Sequence, residues 1–242
     1  MTTAEKPVIA EQLRTHLRRA AALRNVVNAD PDDAQDRLYL RAFQAQRLAR
    51  THADLLASPR YGPAASFFLT DLYGPKDFSA RDAEVERILP TLVATLPGAG
   101  VQTLALAIEV DALSEELDAA MVIALRADAK LASLAQLRDD RYAAAYRRCG
   151  RRKVREQQLV LIHEIGMALA ALAHKPLVHT ALRLMRTPAK LAGLGELQRF
   201  LETGFDAFRH MGHADEFLQH IVTRETAILQ RLYAGVVYPF EL

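Results

Sequence analysis

Apolar residues recur three and four positions apart along most of this chain, and Pro or Gly cuts the pattern into helix-length pieces. That spacing gives each piece one apolar stripe, which is buried by packing helix against helix. Ala, Leu, Arg and Glu fill the pattern, whereas runs rich in Val, Ile and Thr are scarce. The expected fold class is all-α: a multi-helix bundle of about ten helical segments around a central apolar helix. At 242 residues the chain fits one helical domain, 1–242, with a flexible lead-in of about eight residues.

The start and stop signals are explicit. The first helix is expected from about Ile9 to Val27. The second opens with Asp30 as N-cap, Pro31 at the first helical position and Asp32 and Asp33 at the positive helix end. Its inward stripe reads Leu38, Ala42, Ala45, Ala49, His52 and Leu56. A short helix from Pro63 to Tyr73 ends at Gly74-Pro75, and another starts at Ser79 with a kink or break expected at Pro90. A long helix from about Val101 to Ala127 follows, then one or two over Leu131 to Arg148, closed by Gly150. The remaining segments are Arg151 to Ala173, Pro176 to Met185, Thr187-Pro188 to Met211, and Ala214 to Tyr233.

Composition narrows function mainly by exclusion. Lys plus Arg number 31 and Asp plus Glu 29, a net charge of +2, so a nucleic-acid partner is not expected. The lone Cys149 excludes an intrachain disulfide and a cysteine-based zinc site, and fits a cytoplasmic location. The longest apolar run, Leu159 to Ala173, is too short to span a bilayer, and no membrane partner is expected. Gly193-Leu194-Gly195-Glu196-Leu197-Gln198 lacks the third Gly and the preceding strand of a dinucleotide site, so no cofactor is expected.

Two places carry chemistry of interest. The helix over Arg151 to Ala173 reads as apolar on every side, which would bury His163 and Glu164 or set them in a cavity wall. A buried Glu requires a partner, and Arg81, Arg155 and Arg224 are the candidates. The corner from Phe67 to Asp82 gathers Asp71, Tyr73, Lys76, Asp77 and Arg81 around Gly74-Pro75. Glu109 with Glu116, and Asp111 with Asp118, sit seven residues apart, and six histidines crowd the C-terminal third. These are the raw material of a carboxylate and histidine metal site, although no Glu-x-x-His pair is present. Arg147, Arg148, Arg151, Arg152, Lys153 and Arg155 form the densest basic run and are expected to be a solvated turn.

The segment Phe67 to Asp82 and the run Pro188-Ala189-Lys190-Leu191-Ala192-Gly193-Leu194-Gly195, continuing through Gly204-Phe205-Asp206-Ala207-Phe208 to Arg224-Glu225, resemble an uncharacterised bacterial family of helical proteins. The resemblance implies a bacterial origin and a self-contained domain, and no activity. The functional expectation is a non-catalytic helical binding or interaction protein, as a homodimer or with a protein partner. The alternatives are a small-molecule-binding protein or enzyme with a cavity near Glu164, and a metalloprotein. The candidate ligand-binding set is Asp71, Tyr73, Lys76, Asp77, Arg81, His163, Glu164 and Arg224.

Overall fold

The computed structural model describes residues 5–72, 74, 79–95, 98–128 and 133–241. Among them are eleven α-helices and no strand: α1 (Glu5–Asn28), α2 (Pro31–Thr51), α3 (Ala53–Ala57), α4 (Gly62–Phe67), α5 (Ser79–Thr95), α6 (Gly98–Arg126), α7 (Asp139–Cys149), α8 (Arg152–Ala173), α9 (Pro176–Leu191), α10 (Gly195–Met211) and α11 (Asp215–Ala234). A π-helical turn, Phe68–Leu72, extends α4, and a 3₁₀ turn, Leu134–Gln136, precedes α7. The all-α expectation holds. Part of the expected flexible lead-in, residues 1–4, lies outside the described residues, and α1 begins at Glu5 rather than near Ile9.

Local signals account for most boundaries. Asp30 caps α2 by accepting from the Asp32 amide at 2.9 Å, with Pro31 next in line. Gly150 takes φ +61°, the left-handed conformation that ends α7. One boundary falls elsewhere than expected. α9 runs through Thr187-Pro188 and stops at Gly193, whose φ is +67°. There the Gly193 amide donates to Lys190 O at 3.0 Å and the Leu194 amide to Ala189 O at 2.8 Å, the paired bonds of a Schellman stop. Pro188 is tolerated because the carbonyl it deprives of a donor, on Leu184, lies on a solvent face. Pro90 likewise sits exposed inside α5, which continues to Thr95.

Three apolar clusters fill the bundle. One gathers Phe67, Phe68, Phe208, Phe217 and Leu218 between α4, α8, α10 and α11. A second holds Leu40, Met121, Leu125, Tyr142, Tyr146 and Ile228. The third packs Leu13 and Leu17 of α1 against Val85, Leu89 and Ile108. α8 touches α6, α9, α10 and α11, as a central helix should. It is not apolar on every side, however. Val160, Glu164 and Met167 form an outward stripe, with Val160 56% exposed. The expected burial of Glu164 is thereby corrected: two apolar residues on a solvent face make the sequence look more enclosed than the helix is.

α8 and α11 cross closely at Gly166. A Cβ there would sit inside the van der Waals envelope of the Leu218 methyls, and Leu218 is wholly buried. Gly166→Ala is expected to lower unfolding free energy by about 1–2 kcal/mol, overpacking outweighing the helix propensity gained. Urea unfolding checks this, and a stabilised variant would refute the close crossing.

Candidate functional site

The α2 stripe expected to face inward is displaced around the helix. Leu38 is 36% exposed, while Arg37 and Leu40 are buried. α2 turns arginines into the bundle because α6 presents Asp111, Glu115 and Asp118 at four- and three-residue spacing, one face of a helix. Glu115 accepts from Arg24 Nε at 3.0 Å, Arg37 Nη1 at 2.6 Å and Arg41 Nη2 at 2.5 Å. Arg24 also holds Asp111 at 2.5 Å, and Arg41 holds Asp118 at 3.0 Å. Burial on its own would raise the Glu115 pKa. The guanidiniums of Arg41, Arg24 and Arg37 prevail, and it lies below the usual range.

A second buried pair lies where α2 meets α11. Arg47 Nη1 stands 2.6 and 2.5 Å from the two Glu225 oxygens, and His52 Nε2 is 2.9 Å from Oε1. An ionised carboxylate only accepts, so His52 Nε2 carries the hydrogen. Desolvation pushes Glu225 up, but Arg47 and His52 bring its pKa down to about 2.

Of these groups Arg41, Arg47, His52, Asp111, Glu115, Asp118 and Glu225 wall one part of an elongated cavity of about 580 Å³. The rest of the lining is largely apolar and follows α8, through Leu159, Ile162, Ile165, Leu169 and Leu172, to the phenylalanines of α4 and α10 and to Val178 and Leu182 of α9. Arg155 and Lys175 are both in the wall; twenty residues apart, they mark a span of about 30 Å along the helix direction. The volume falls in the roughly 300–1,000 Å³ range of small-molecule sites.

Arg155 is the unusual group. It is 7% exposed, its Cζ lies 3.9 Å from the Tyr146 ring centroid, and its Nε and Nη2 are buried without a hydrogen-bond partner. A guanidinium stays charged at any working pH, and among the described residues this cation has no close carboxylate partner: Asp118 acts on it only at longer range.

A family model described as a domain of unknown function (DUF8198) matches residues 23–239. The chain belongs to this family. The match includes every residue of the cavity's polar wall that lies on α2, α6, α8 or α11, and α1 from Leu23 onward. No curated protein and no solved structure matches the chain.

In this DUF8198 chain Asp71, His163, Glu164 and Arg224, the expected site residues whose side chains are described, do not converge. Asp71 is buried, accepting from Thr70 Oγ1 at 2.8 Å and Arg199 Nη1 at 3.1 Å. Tyr73, Lys76 and Asp77 lie outside the described residues, as does the side chain of Arg81. Arg224 forks onto exposed Asp54 at 2.6 and 2.7 Å. His163 is half-buried, Glu164 exposed, and neither lines the cavity. The cavity was expected beside Glu164; it lies along the Ile162–Leu169 side of the same helix.

The basic run is largely the solvated turn expected, with Arg147, Arg148, Arg151, Arg152 and Lys153 exposed around Gly150, and Arg155 is the exception. Arg147 donates to Leu232 O at 3.1 Å, Arg148 to Ala124 O at 2.6 Å, and Arg155 turns inward. The carboxylates considered for metal have other partners: Glu116 pairs with Arg19, and Glu109 accepts from Gln157 at 3.3 Å. Among the described residues no group of three His, Cys, Asp or Glu side chains is poised around one point. His210 Nε2 sits 2.8 Å from Pro59 O, His174 Nδ1 2.7 Å from Ala170 O, and His179 stacks on Phe205. No single helix among the described residues is long and apolar enough to cross a membrane.

Sequence reading passed over Arg37, Arg41, Arg47 and Glu225. A usable signal was present: Arg37 and Arg41 at i,i+4 on α2 match the i,i+4,i+7 acidic stripe of α6.

Proposed function

We propose that this protein is a small-molecule-binding helical protein whose cavity takes an elongated apolar molecule ending in one anionic group, a carboxylate in the simplest case. The observation that carries the reading is the buried Arg155 guanidinium, unpaired in the wall of a mostly apolar cavity. The apolar length would solvate a hydrocarbon body, and Arg155 would supply two aligned N–H donors to a carboxylate. The other charged groups of the wall are largely tied into ion pairs, which favours binding over catalysis.

Palmitate and hexadecanol, equal in chain length and differing in charge, separate the two halves of the proposal. Titration calorimetry is expected to show palmitate binding, with Arg155→Met weakening it by roughly 10–100-fold, the worth of one charged hydrogen-bonded contact. Hexadecanol affinity is expected to be unchanged by that substitution. Arg155→Met is also expected to leave the empty protein as stable or more so, since it removes an uncompensated buried charge while preserving volume. Equal binding of both probes, unaltered by Arg155→Met, would sink the anion site. Failure of both probes to bind would sink the cavity reading itself.

A further inference from the structure

A ligand that fills the cavity must pass a wall, and α9 is a lightly held part of it. α9 closes one side with Val178 and Leu182, both only half-buried. Of its residues whose side chains are described, Ala189 alone is buried. By contrast α8, α10 and α11 line the same cavity with Ile165, Phe208 and Phe217, all buried. Displacing one of those helices would bring large buried side chains into water, whereas lifting α9 uncovers little that is not already wet. Lys175 and Leu201 are exposed residues of the wall, so the cavity comes within reach of solvent beside this helix.

Both ends of α9 are corners. It leaves α8 at 88°, and it stops on Gly193 in the left-handed conformation. Arg87 of α5 pins the second corner, donating to Ala192 O at 2.7 Å and Gly193 O at 2.8 Å. Between the corners the fastening to α10 is mostly polar and centres on Glu202. Arg186 forks onto that carboxylate at 3.0 and 2.9 Å, and Gln198 Nε2 donates to it at 3.0 Å while also donating to Leu182 O at 2.7 Å. The His179 ring stacks on Phe205 at 5.7 Å. Arg186 is about half exposed, so water and salt compete for the clasp.

We infer that α9 is the lid of the cavity, fastened to α10 through Glu202, and that its lifting admits and releases the ligand. The inference rests on the reading of the cavity as a ligand site and adds the route by which that site is reached.

Binding kinetics and a measurement on the empty protein test it together. In stopped-flow mixing with a fluorescent palmitate analogue, Glu202→Gln is expected to raise the association and dissociation rate constants together by about two- to fivefold, with Kd little changed. High salt should speed both steps in the parent and have little further effect in the variant. A residue that merely shaped the cavity would raise dissociation alone and weaken binding. Without ligand, Leu182→Cys in a Cys149→Ser background places a single thiol on the inner side of α9, and a bulky maleimide should modify it faster by a similar factor once Glu202→Gln is added. Palmitate binding with rates and labelling unaltered by Glu202→Gln would overturn the lid and leave the cavity reading standing; entry would then lie elsewhere, for instance past Ala99 and Ala107, exposed wall residues of α6. Faster labelling in a protein that binds neither palmitate nor hexadecanol would overturn the cavity reading and the lid's role with it.

Discussion

Glu115→Gln is expected to lower the free energy of unfolding by about 3–5 kcal/mol, the usual cost of removing one partner from a buried ion network. The amide keeps the side chain's shape and one acceptor, but it withdraws the charge that three guanidiniums share. The loss falls unevenly. Arg24 keeps Asp111 and Arg41 keeps Asp118, whereas Arg37 is left with Asp118 at 4.0 Å, a long bond to the Glu115 carbonyl at 3.4 Å, and Nε and Nη2 already lacking partners. Arg37 therefore becomes the stranded charge. Removing it as well, in Glu115→Leu with Arg37→Met, should recover part of the loss because a well-packed apolar pair avoids the desolvation that an ion pair must overcome. Urea unfolding at neutral pH reads both variants. A loss under about 1 kcal/mol for Glu115→Gln would mean that water reaches the network and that its burial has been misjudged.

That network also marks where sequence reading stops. Helix ends were legible because they depend on neighbours in sequence: Asp30-Pro31 opens α2, and Gly150 and Gly212 follow the ends of α7 and α10. Pro188 misled because its effect depends on whether the orphaned carbonyl meets water, a tertiary fact. The orientation of α2 was not legible for the same reason. An arginine-rich face normally turns outward, and here it turns inward only because α6 supplies Glu115 and Asp118 some eighty residues away. On α8 the cavity follows Gln158, Ile162, Ile165 and Leu169, a side the sequence did not single out because Val160 and Met167 make the opposite side look equally enclosed. Which polar residue shares that space was not legible either. Arg155 looked like one member of a solvated basic run, and only the Tyr146 ring and the missing anion distinguish it from its neighbours.

As pH falls from neutral to about 1 the protein is expected to lose about 3 kcal/mol of stability through Glu225 alone, most of it between about pH 4.5 and pH 2. The folded-state pKa of this carboxyl is about 2, below the roughly 4.3 of an unpaired Glu in the unfolded chain. With the folded value the lower of the two, the contribution is complete above the unfolded pKa and disappears as pH falls through the folded one. Acid thus acts by protonating the partner of Arg47, whose guanidinium remains charged and buried. Asp54, also near 2, is held by Arg224 at a half-exposed site where solvent screens the pair, so it adds little to the same window. Glu115 and Glu202 also lie low, so parent and variant must be compared directly. Glu225→Gln should be less stable than the parent at neutral pH and should show a shallower fall between pH 4.5 and 2, the two curves converging at the acid end. If they run parallel through that window, Glu225 is already protonated or already unpaired at pH 4.5, and the ion pair that ties α2 to α11 beside the cavity is not what holds those helices together.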